Sequence, residues 1–577
     1  MVNQELARLF NEIADLMEIK GEDVFRINSY RRVARTIADL AVDINDVAAR
    51  GELETLPGVG KGSAEKIRQL LETGRLALRE QLAQEVPESL LELRGIPGVG
   101  PKKIALFWRE RNITSLDDLK AALEAGKLAG LRGLGDKSIE QIRQGLEFLQ
   151  RSAGRIRLGV ALAIAEHVQA AVRAIQGVRR TEAAGSLRRG RETIGDLDLL
   201  CIADDPERTI ERFTKLAGVV QVLGAGKTKG SVLFEYQPGG TVQIDLRVVP
   251  AESFGAAWQY FTGSKEHNVH LRELAVKRGW SLNEYGLTEN DRVIAAATEE
   301  DIYAALDLPW LPPELREDRG EFELKEVPPD LLEIGHIRGD MHVHTVASDG
   351  INTIEEMALA AKARGYKYLC IADHSQSSSI ANGLTPERLE KQIAEVRRVA
   401  RKLKGITLWI GTEVDILADG RLDYPDELLA RLDFVIASIH SGMGRDLAAN
   451  TRRTLAAMRN PYVNVIGHPT GRLLGKRDAM PLDMEAICQE AARTGTALEI
   501  NASDYRLDLK DQHARLAGEK GALLCINTDA HATDQLDDMR YGVLTARRAW
   551  ARKEQVLNTR TAKQVARFVQ AKRRRNR

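Results

Sequence analysis

The stretch GDMHVHTVASDG, Gly339 to Gly350, decides how the second half of the chain folds. Its two histidines, one residue apart on an extended segment, project to the same side, because strand side chains alternate with period two. Apolar runs of four to six residues recur after it, each ending in polar groups: KYLCIADHS, TLWIGTEVD, FVIASIHS, VNVIGHPTG, ALEINAS and ALLCINTDAH. Helical patterns such as TIEEMALAAKARG and PERLEKQIAEVRRVARKL lie between several of them. Strands alternating with helices, with the chemistry at the carboxyl ends of the strands, predict a (β/α) barrel of irregular form.

Those strand ends carry His342, His344, Asp349, His374, Glu413, His440, His468, Asp529 and His531. A single histidine is more often a hydrogen-bonded core or surface residue than a ligand. Nine such groups at the strand ends of one barrel argue for a metal centre instead. Mixed imidazole and carboxylate donors suit Mn²⁺, Zn²⁺ or Fe²⁺ better than Mg²⁺ or Ca²⁺. They also exceed what one ion needs, so two or three ions are expected.

Toward the amino terminus, DLPWLPPELREDRGEFELKEVPPDLLEIG, Asp307 to Gly335, carries five prolines and many charges with little periodicity, and reads as a separator. Three histidines precede it and eight follow from His336 onward, so the two halves are expected to do different metal chemistry. At 577 residues the chain exceeds one ordinary core, and three to five folding units are expected. Hydrophobic residues make up 43% and charged residues 29%, with no apolar run long enough to span a bilayer. The start, MVNQELARLFNEIADLM, is amphipathic and acidic, unlike a secretory signal, so a cytoplasmic protein without a membrane partner is expected. Cys201, Cys370, Cys488 and Cys525 form no CxxC pair and read as buried thiols.

Net charge is zero, 83 basic against 83 acidic residues, so any nucleic-acid surface has to be local. RRTEAAGSLRRGR, Arg179 to Arg191, is one basic patch; the tail KRRRNR, Lys572 to Arg577, reads as a solvated, disordered end. Residues 1 to 150 read as short helices with an internal repeat: LPGVGKGSAEKI (Leu56 to Ile67), IPGVGPKKIALF (Ile96 to Phe107) and LRGLGDKSIEQI (Leu131 to Ile142). A helix, a tight glycine turn and a second helix expose backbone N–H groups, which bind a phosphate oxygen without reading the base. Gly58, Gly60, Gly98 and Gly100 permit the close approach. The alternative is a glycine helix cap, but two copies of PGVG and a looser third favour DNA contact. The repeat resembles the helix-hairpin-helix of DNA repair proteins.

A helix (LGVALAIAEHVQAAVRAIQ) and short apolar strands (DLDLLCI, SVLFEYQ, TVQIDLRVV) follow, predicting a small α/β sheet. In GDLDLL a strand places Asp196 and Asp198 on one face, and Asp245 in QIDLRVV sits on a second strand able to pair nearby. Three carboxylates facing one cavity repel unless divalent cations neutralise them, and Mg²⁺ or Mn²⁺ is the usual occupant beside phosphates. Exposed strand acids are the alternative.

GSLRRGRETIGDLDLL, QIDLR and YFTGSKEHNVHLRELAVKRGWSLNEYGL (Tyr260 to Leu287) closely resemble the family X DNA polymerases, over nearly all of residues 1 to 318. The resemblance implies that Asp196, Asp198 and Asp245 are the catalytic triad. It implies that Gly185, Ser186, Arg189 and Gly195 hold the incoming triphosphate and that Tyr260, Phe261 and Gly263 contact its sugar. Asn268 and Arg272 match positions at the nascent base pair and template. Without the resemblance, Tyr260 and Phe261 read as core aromatics.

INSYRRVARTIADL resembles the family's lyase-domain helix, and Lys66 falls where the Schiff-base lysine falls. Phe25 stands where the repair enzyme has His and Gly62 where it has Lys, so the 5′-phosphate pocket is less basic; Gln243, two before Asp245, replaces an Arg. A phosphate-binding or merely exposed helical lysine is the alternative for Lys66. The barrel ligands resemble the polymerase and histidinol phosphatase (PHP) domain over about residues 335 to 570, which implies Mn²⁺-dependent 3′→5′ exonuclease activity, with 3′-phosphatase or abasic-site endonuclease activity as further options.

The expected organisation is a multidomain α/β chain: helical lyase-like residues 1–85, helix-hairpin-helix residues 86–152, and a nucleotidyltransferase-like palm over 153–252. A thumb-type subdomain over 253–318, a linker over 319–334 and a distorted (β/α) barrel of PHP type over 335–577 complete it. The expected function is gap-filling DNA repair synthesis with 3′-end processing, acting as a monomer on gapped or primer-template DNA and dNTPs. Two alternatives stay open: a DNA-binding half that delivers substrate to a phosphoesterase, and an active polymerase with a structural barrel.

Overall fold

The computed structural model describes residues 2–575 except 39–43, 57, 74, 97–98, 132, 137, 141, 144, 147–153 and 291. Contacts divide the chain into two compact units, Met1–Ala153 with Gly475–Arg477, and Gly154–Leu474 with Asp478–Arg577.

The first unit is helical. In the helix Val2–Lys20 the buried residues Leu6, Phe10, Ile13 and Met17 recur every three or four positions, and that stripe packs on Val33, Ile37, Ile67 and Phe107. The described residues of all three glycine repeats make the same backbone hydrogen bonds. Val59, Val99 and Leu134 donate to the carbonyls of Leu56, Ile96 and Leu131; Ser63, Lys103 and Ser138 donate to those of Gly60, Gly100 and Gly135. The helices Lys61–Thr73 and Pro101–Arg111 start there.

In the second unit, after the helix Leu158–Arg173, comes a five-stranded sheet: β1 (Val178–Ala183), β2 (Asp196–Ala203), β3 (Val219–Ala225), β4 (Lys229–Gln237) and β5 (Gly240–Val248), in the order β1-β2-β5-β4-β3. β2 and β5 pair in parallel and the other neighbours are antiparallel. Leu197, Leu199 and Cys201 of β2 and Val242, Ile244 and Leu246 of β5 face one core, so the alternate positions, Asp196, Asp198, Gln243 and Asp245, share the opposite face. The helices Phe254–Thr262 and Lys265–Val276 and a small sheet of β6 (Ser281–Asn283), β7 (Gly286–Glu289) and β8 (Arg292–Ala295) form a separate core around Leu271, Leu287 and Tyr303.

The barrel strands are β9 (Gly339–Val343), β10 (Tyr368–Ile371), β11 (Thr407–Asp415), β12 (Phe434–Ser438), β13 (Val465–Ile466), β14 (Ala497–Asn501) and β15 (Leu524–Asn527), parallel and paired in chain order. A Val343–Ala530 bridge and the bond from His344 N–H to the Ala530 carbonyl, 2.8 Å, bring first and last strands together. The result is a nearly closed seven-stranded parallel barrel, the irregular form expected. At its amino-terminal end Met341, Cys370, Phe434 and Cys525 pack against Val565 and Val569 of the final helix, Ala562–Arg575. All four cysteines are buried free thiols, as expected.

Two segments are more ordered than their composition suggests. The tail is not a solvated end up to Arg575. Lys572 is buried, and its Nζ donates to the Met458 carbonyl and Thr496 Oγ1, both at 2.7 Å, while Arg573 Nη2 donates to the Leu432 carbonyl at 2.6 Å. The apolar side of the helix holds it on the barrel, and its amines find carbonyls there. The proline-rich segment is likewise packed rather than free. Arg316 is fully buried on Glu299, and Glu314, Glu317 and Arg319 pair with Arg547, Arg548 and Asp511 of the barrel. Among the described residues, no helix is long and apolar enough to cross a membrane.

Candidate active sites

In the palm, the β2/β5 register sets Asp198 directly beside Asp245 and Asp196 beside Gln243. Asp196 is exposed, Asp198 half-buried and Asp245 buried, so the triad grades from solvent into the sheet. Burial, then the charges of Asp196 and Asp245, push the Asp198 carboxyl up to about 6. Burial also works against Asp245, but Lys229 at 2.7 Å, Gln243 at 2.9 Å and the Ser231 hydroxyl hold it below the usual carboxylate range. The ammonium of Lys229 already answers one carboxylate, while Asp198 is left facing two others. That is a donor set a divalent cation fits.

Gly185 opens the short helix Gly185–Arg188 with φ of +61°, and a Cβ there would overlap Asp198 Oδ2. Only glycine lets this turn lie against the triad. Ser186 is half-buried beside it, and Gly195 immediately precedes β2, close to the Arg155 guanidinium. Arg189 does not point freely into a cleft. Its Nε donates to Glu317 Oε1 at 3.0 Å and its Nη1 to the Thr262 carbonyl. Arg188 and Arg316 both grip Glu299, whose carboxyl they hold down at about 2 against the cost of burial.

Tyr260 and Phe261 are half-buried in an edge-on pair with centroids 5.1 Å apart, and the Arg247 guanidinium lies over Phe261. Gly263 follows with φ of +71°. Asn268 is committed internally, donating to the Tyr260 carbonyl at 2.7 Å and accepting from Gln259 at 2.8 Å. Arg272 is exposed one turn further, its Nε donating to the Asn268 carbonyl at 3.2 Å.

In the barrel, the nine expected residues converge. Glu413, fully buried, meets five imidazoles: His374 Nδ1 and His468 Nε2 at 2.8 Å, His440 Nε2 at 3.3 Å, His342 Nε2 at 3.6 Å and His344 Nε2 at 3.8 Å. Asp529 lies 2.9 Å from His344 Nε2 and 3.5 Å from His342 Nε2. Asp349 lies 3.3 Å from His531 Nε2 and 3.6 Å from His374 Nε2. Among the described residues, donor atoms close enough to share an ion form three groups: His344, Asp349, His374 and His531; His342, His344 and Asp529; and His374, Glu413 and His440. Buried His342 Nε2, both ring nitrogens of His344, Glu413 Oε2 and Asp529 Oδ1 have no hydrogen-bond partner in the protein. Orphaned donors and acceptors this close are what metal ligands look like without their ions.

Two residues outside the nine complete the set. Glu499, fully buried on β14, takes His342 Nδ1 at 2.8 Å and the His468 N–H at 2.6 Å, and Asn501 Nδ2 donates to Asp529 at 3.0 Å. A carboxylate on the far nitrogen fixes a ligating imidazole's tautomer and direction. ALEINAS carries the signal for both, since it ends in polar groups like the other strands.

In the first unit, Lys66 is half-buried, its Nζ donating to the Gly62 carbonyl at 3.0 Å and lying 6.0 Å from the Tyr30 ring centre, and Phe25 is 86% exposed. Gly58 has φ of +77°, and Gly60 and Gly100 border open space; Gly98 lies outside the described residues.

The chain matches the family models of a Helix-hairpin-helix domain over residues 1–76, a SAM-like Helix-hairpin-helix tandem over 90–147, the DNA polymerase beta thumb over 257–317 and the PHP domain over 340–503. It is 39% identical over 573 residues, 99% of both chains, to the DNA polymerase/3′-5′ exonuclease PolX of Bacillus subtilis (strain 168). A probable phosphatase of Thermoanaerobacter sp. (strain X514) is 29% identical over 246 residues, 41% of this chain and 95% of that one. A probable phosphatase of Syntrophotalea carbinolica is 31% identical over 229 residues, 38% of this chain and 90% of that one.

Proposed function

The chain belongs to the PolX family of DNA polymerase/3′-5′ exonucleases, and from that membership we propose how its two centres divide the work: synthesis in the palm, 3′-end hydrolysis in the barrel. The chain is a DNA polymerase with a metal-dependent phosphoesterase domain, and DNA is its substrate. The observation that carries the division is chemical. The palm offers three carboxylates graded toward solvent, whereas the barrel buries imidazoles and carboxylates around Glu413.

In the palm, Asp196, Asp198 and Asp245 hold Mg²⁺ or Mn²⁺. Gly185 and Ser186 bring backbone and hydroxyl donors to the triphosphate, and Gly195 keeps the approach clear. Arg189 leaves Glu317 for phosphate oxygens. Tyr260, Phe261 and Gly263 form the sugar wall, and Asn268 positions that wall through the Tyr260 carbonyl while Arg272 faces the template. In the barrel, the nine ligands hold two or three ions, Mn²⁺ being the proposed occupant, with Glu499 orienting His342. When bound, these cations supply Lewis acidity and lower the pKa of water or a 3′-hydroxyl. Gly58, Gly60, Gly98 and Gly100 grip the DNA backbone. Filling of short gaps by a cytoplasmic monomer is the proposed setting.

Lys66 is the proposed lyase nucleophile, tested by borohydride trapping on 5′-deoxyribose-phosphate DNA. A trapped adduct that Lys66→Ala abolishes supports it; no adduct in the parent protein refutes it.

The division is tested with gapped DNA labelled at the primer 5′ end, in Mn²⁺, with and without dNTPs. Asp196→Ala with Asp198→Ala removes extension and keeps 3′-end degradation. His344→Ala with His374→Ala does the reverse, once folding is checked, because metal loss costs binding free energy. Degradation that survives in the folded histidine variant and disappears in the aspartate variant would overturn the assignment.

A further inference from the structure

The loop after β14, Ser503 to Asp508, is gripped from the palm. Asp504 Oδ1 accepts the Gly159 N–H at 2.6 Å and its Oδ2 accepts Arg157 Nε at 2.9 Å. The Arg157 guanidinium lies 3.6 Å from the centre of the Tyr505 ring. Leu507, fully buried, belongs to the palm core rather than the barrel core. Arg472 donates to the carbonyls of Arg506, at 2.9 Å, and Leu507, and pairs with Glu192 of the palm at 2.8 Å. The backbone on both sides of Arg506 is therefore fixed.

The Arg506 side chain runs the other way, into the barrel centre. Its Nε lies 3.5 Å from Asp529 Oδ2, and its charge acts on His468. Its Nη1 is enclosed and has no hydrogen-bond partner in the protein. Asp529 cannot serve that nitrogen well, being engaged by His342, His344 and Asn501. A guanidinium keeps its charge at every working pH and presents donors in a rigid fork that matches phosphate oxygens. An enclosed donor without an acceptor is costly to the free protein, and the cost is removed when an anion arrives. The side chain is 19% exposed, so an anion can reach it.

We propose that Arg506 binds the phosphoester of a DNA 3′ end at the barrel centre, and that the palm contacts of residues 503 to 508 hold it in that position. This rests on the reading of the barrel centre as the hydrolytic site. Arg506 supplies charge and direction: its fork takes the non-bridging oxygens and turns the ester toward the ligand cluster.

The test uses the full chain loaded with Mn²⁺ and two probes, inorganic phosphate and dTMP, titrated by calorimetry. Metal content is measured on the same samples. Arg506→Met should weaken both probes at least tenfold with metal content unchanged, and Arg506→Lys should fall between. Added guanidinium should restore 3′-end degradation to Arg506→Ala, a rescue that a merely structural role would not give. Unchanged probe affinity would overturn the proposal. So would loss of metal in parallel with affinity, which would make Arg506 a support for Asp529. The histidine double variant separates this failure from failure of the underlying reading, because it tests the hydrolytic centre without touching Arg506.

Discussion

Arg548, at the end of the barrel helix Met539–Arg548, donates from Nη1 to the carbonyl oxygen of Arg189 at 2.7 Å. A barrel residue thus holds the backbone of the GSLRRG turn in the palm. The same guanidinium takes Glu317 Oε1 at 2.9 Å and Asp511 Oδ2 at 2.9 Å, and Glu317 is also where Arg189 Nε rests. If Arg189 turns to a triphosphate, Arg548 keeps Glu317 compensated. Arg548→Met removes a 4% exposed charge from two carboxylates and should cost about 3 kcal/mol in urea unfolding. The dNTP KM in gap filling should rise several-fold. Unchanged KM and an unchanged unfolding midpoint would exclude the coupling.

Gly185→Ala is expected to abolish synthesis selectively. The new methyl overlaps Asp198 Oδ2 and the residue has φ of +61°, so either the turn or the carboxylate has to move. Primer extension should fall roughly a hundredfold, in line with the loss of one well-placed electrostatic group. Degradation of 3′ ends should be unaffected. Extension at the parental rate would mean that the turn does not work against the triad.

Gly60 and Gly100, unlike Gly58, border open space without a positive φ. Gly60→Val with Gly100→Val should leave the fold intact and obstruct only what approaches from outside. Affinity for gapped DNA should drop about tenfold for every sequence tested, because backbone N–H groups read phosphate rather than base. Titrations over several salt concentrations that superimpose on the parent would rule out the grip.

Burial pushes the Lys572 ammonium down to about 7 from the ordinary lysine 10.5. The unfolded chain then binds the extra proton across pH 7 to 10.5, so folding stability rises with pH through that window. Its slope approaches about 1.4 kcal/mol per pH unit well inside the window. Relative to Lys572→Met, the parent should gain stability steadily between pH 7 and 9.5. A pH-independent difference in urea midpoints would show that the amine keeps its charge when folded.

The barrel ligands were legible because each strand end carries one chemical group, so His374 or His468 is conspicuous after an apolar run. The triad was legible from period-two spacing and the paired strands. Lys229 and Ser231 were not, since they act on Asp245 of the neighbouring strand, and Glu499 was not, since it reaches His342 on a strand it does not pair with; neither register nor barrel closure is present in a linear pattern. The segment from Asp307 to Gly335 looked like a tether because its buried groups are charged and sit on short turns without helical period. Its barrel partners Arg547 and Arg548 lie more than two hundred residues away in the chain. The commitment of Arg189 to Glu317 was hidden for the same reason.

The presence of Leu507 and Tyr541 in the palm core bears on modularity. A barrel excised at the proline-rich segment would carry these two side chains out into water on one face, together with Asp504, parted from Arg157 and Gly159. Such a fragment is expected to be sticky on expression, and soluble versions should need polar replacements on that face. The boundary written in the order of the chain is therefore not the seam along which the protein comes apart.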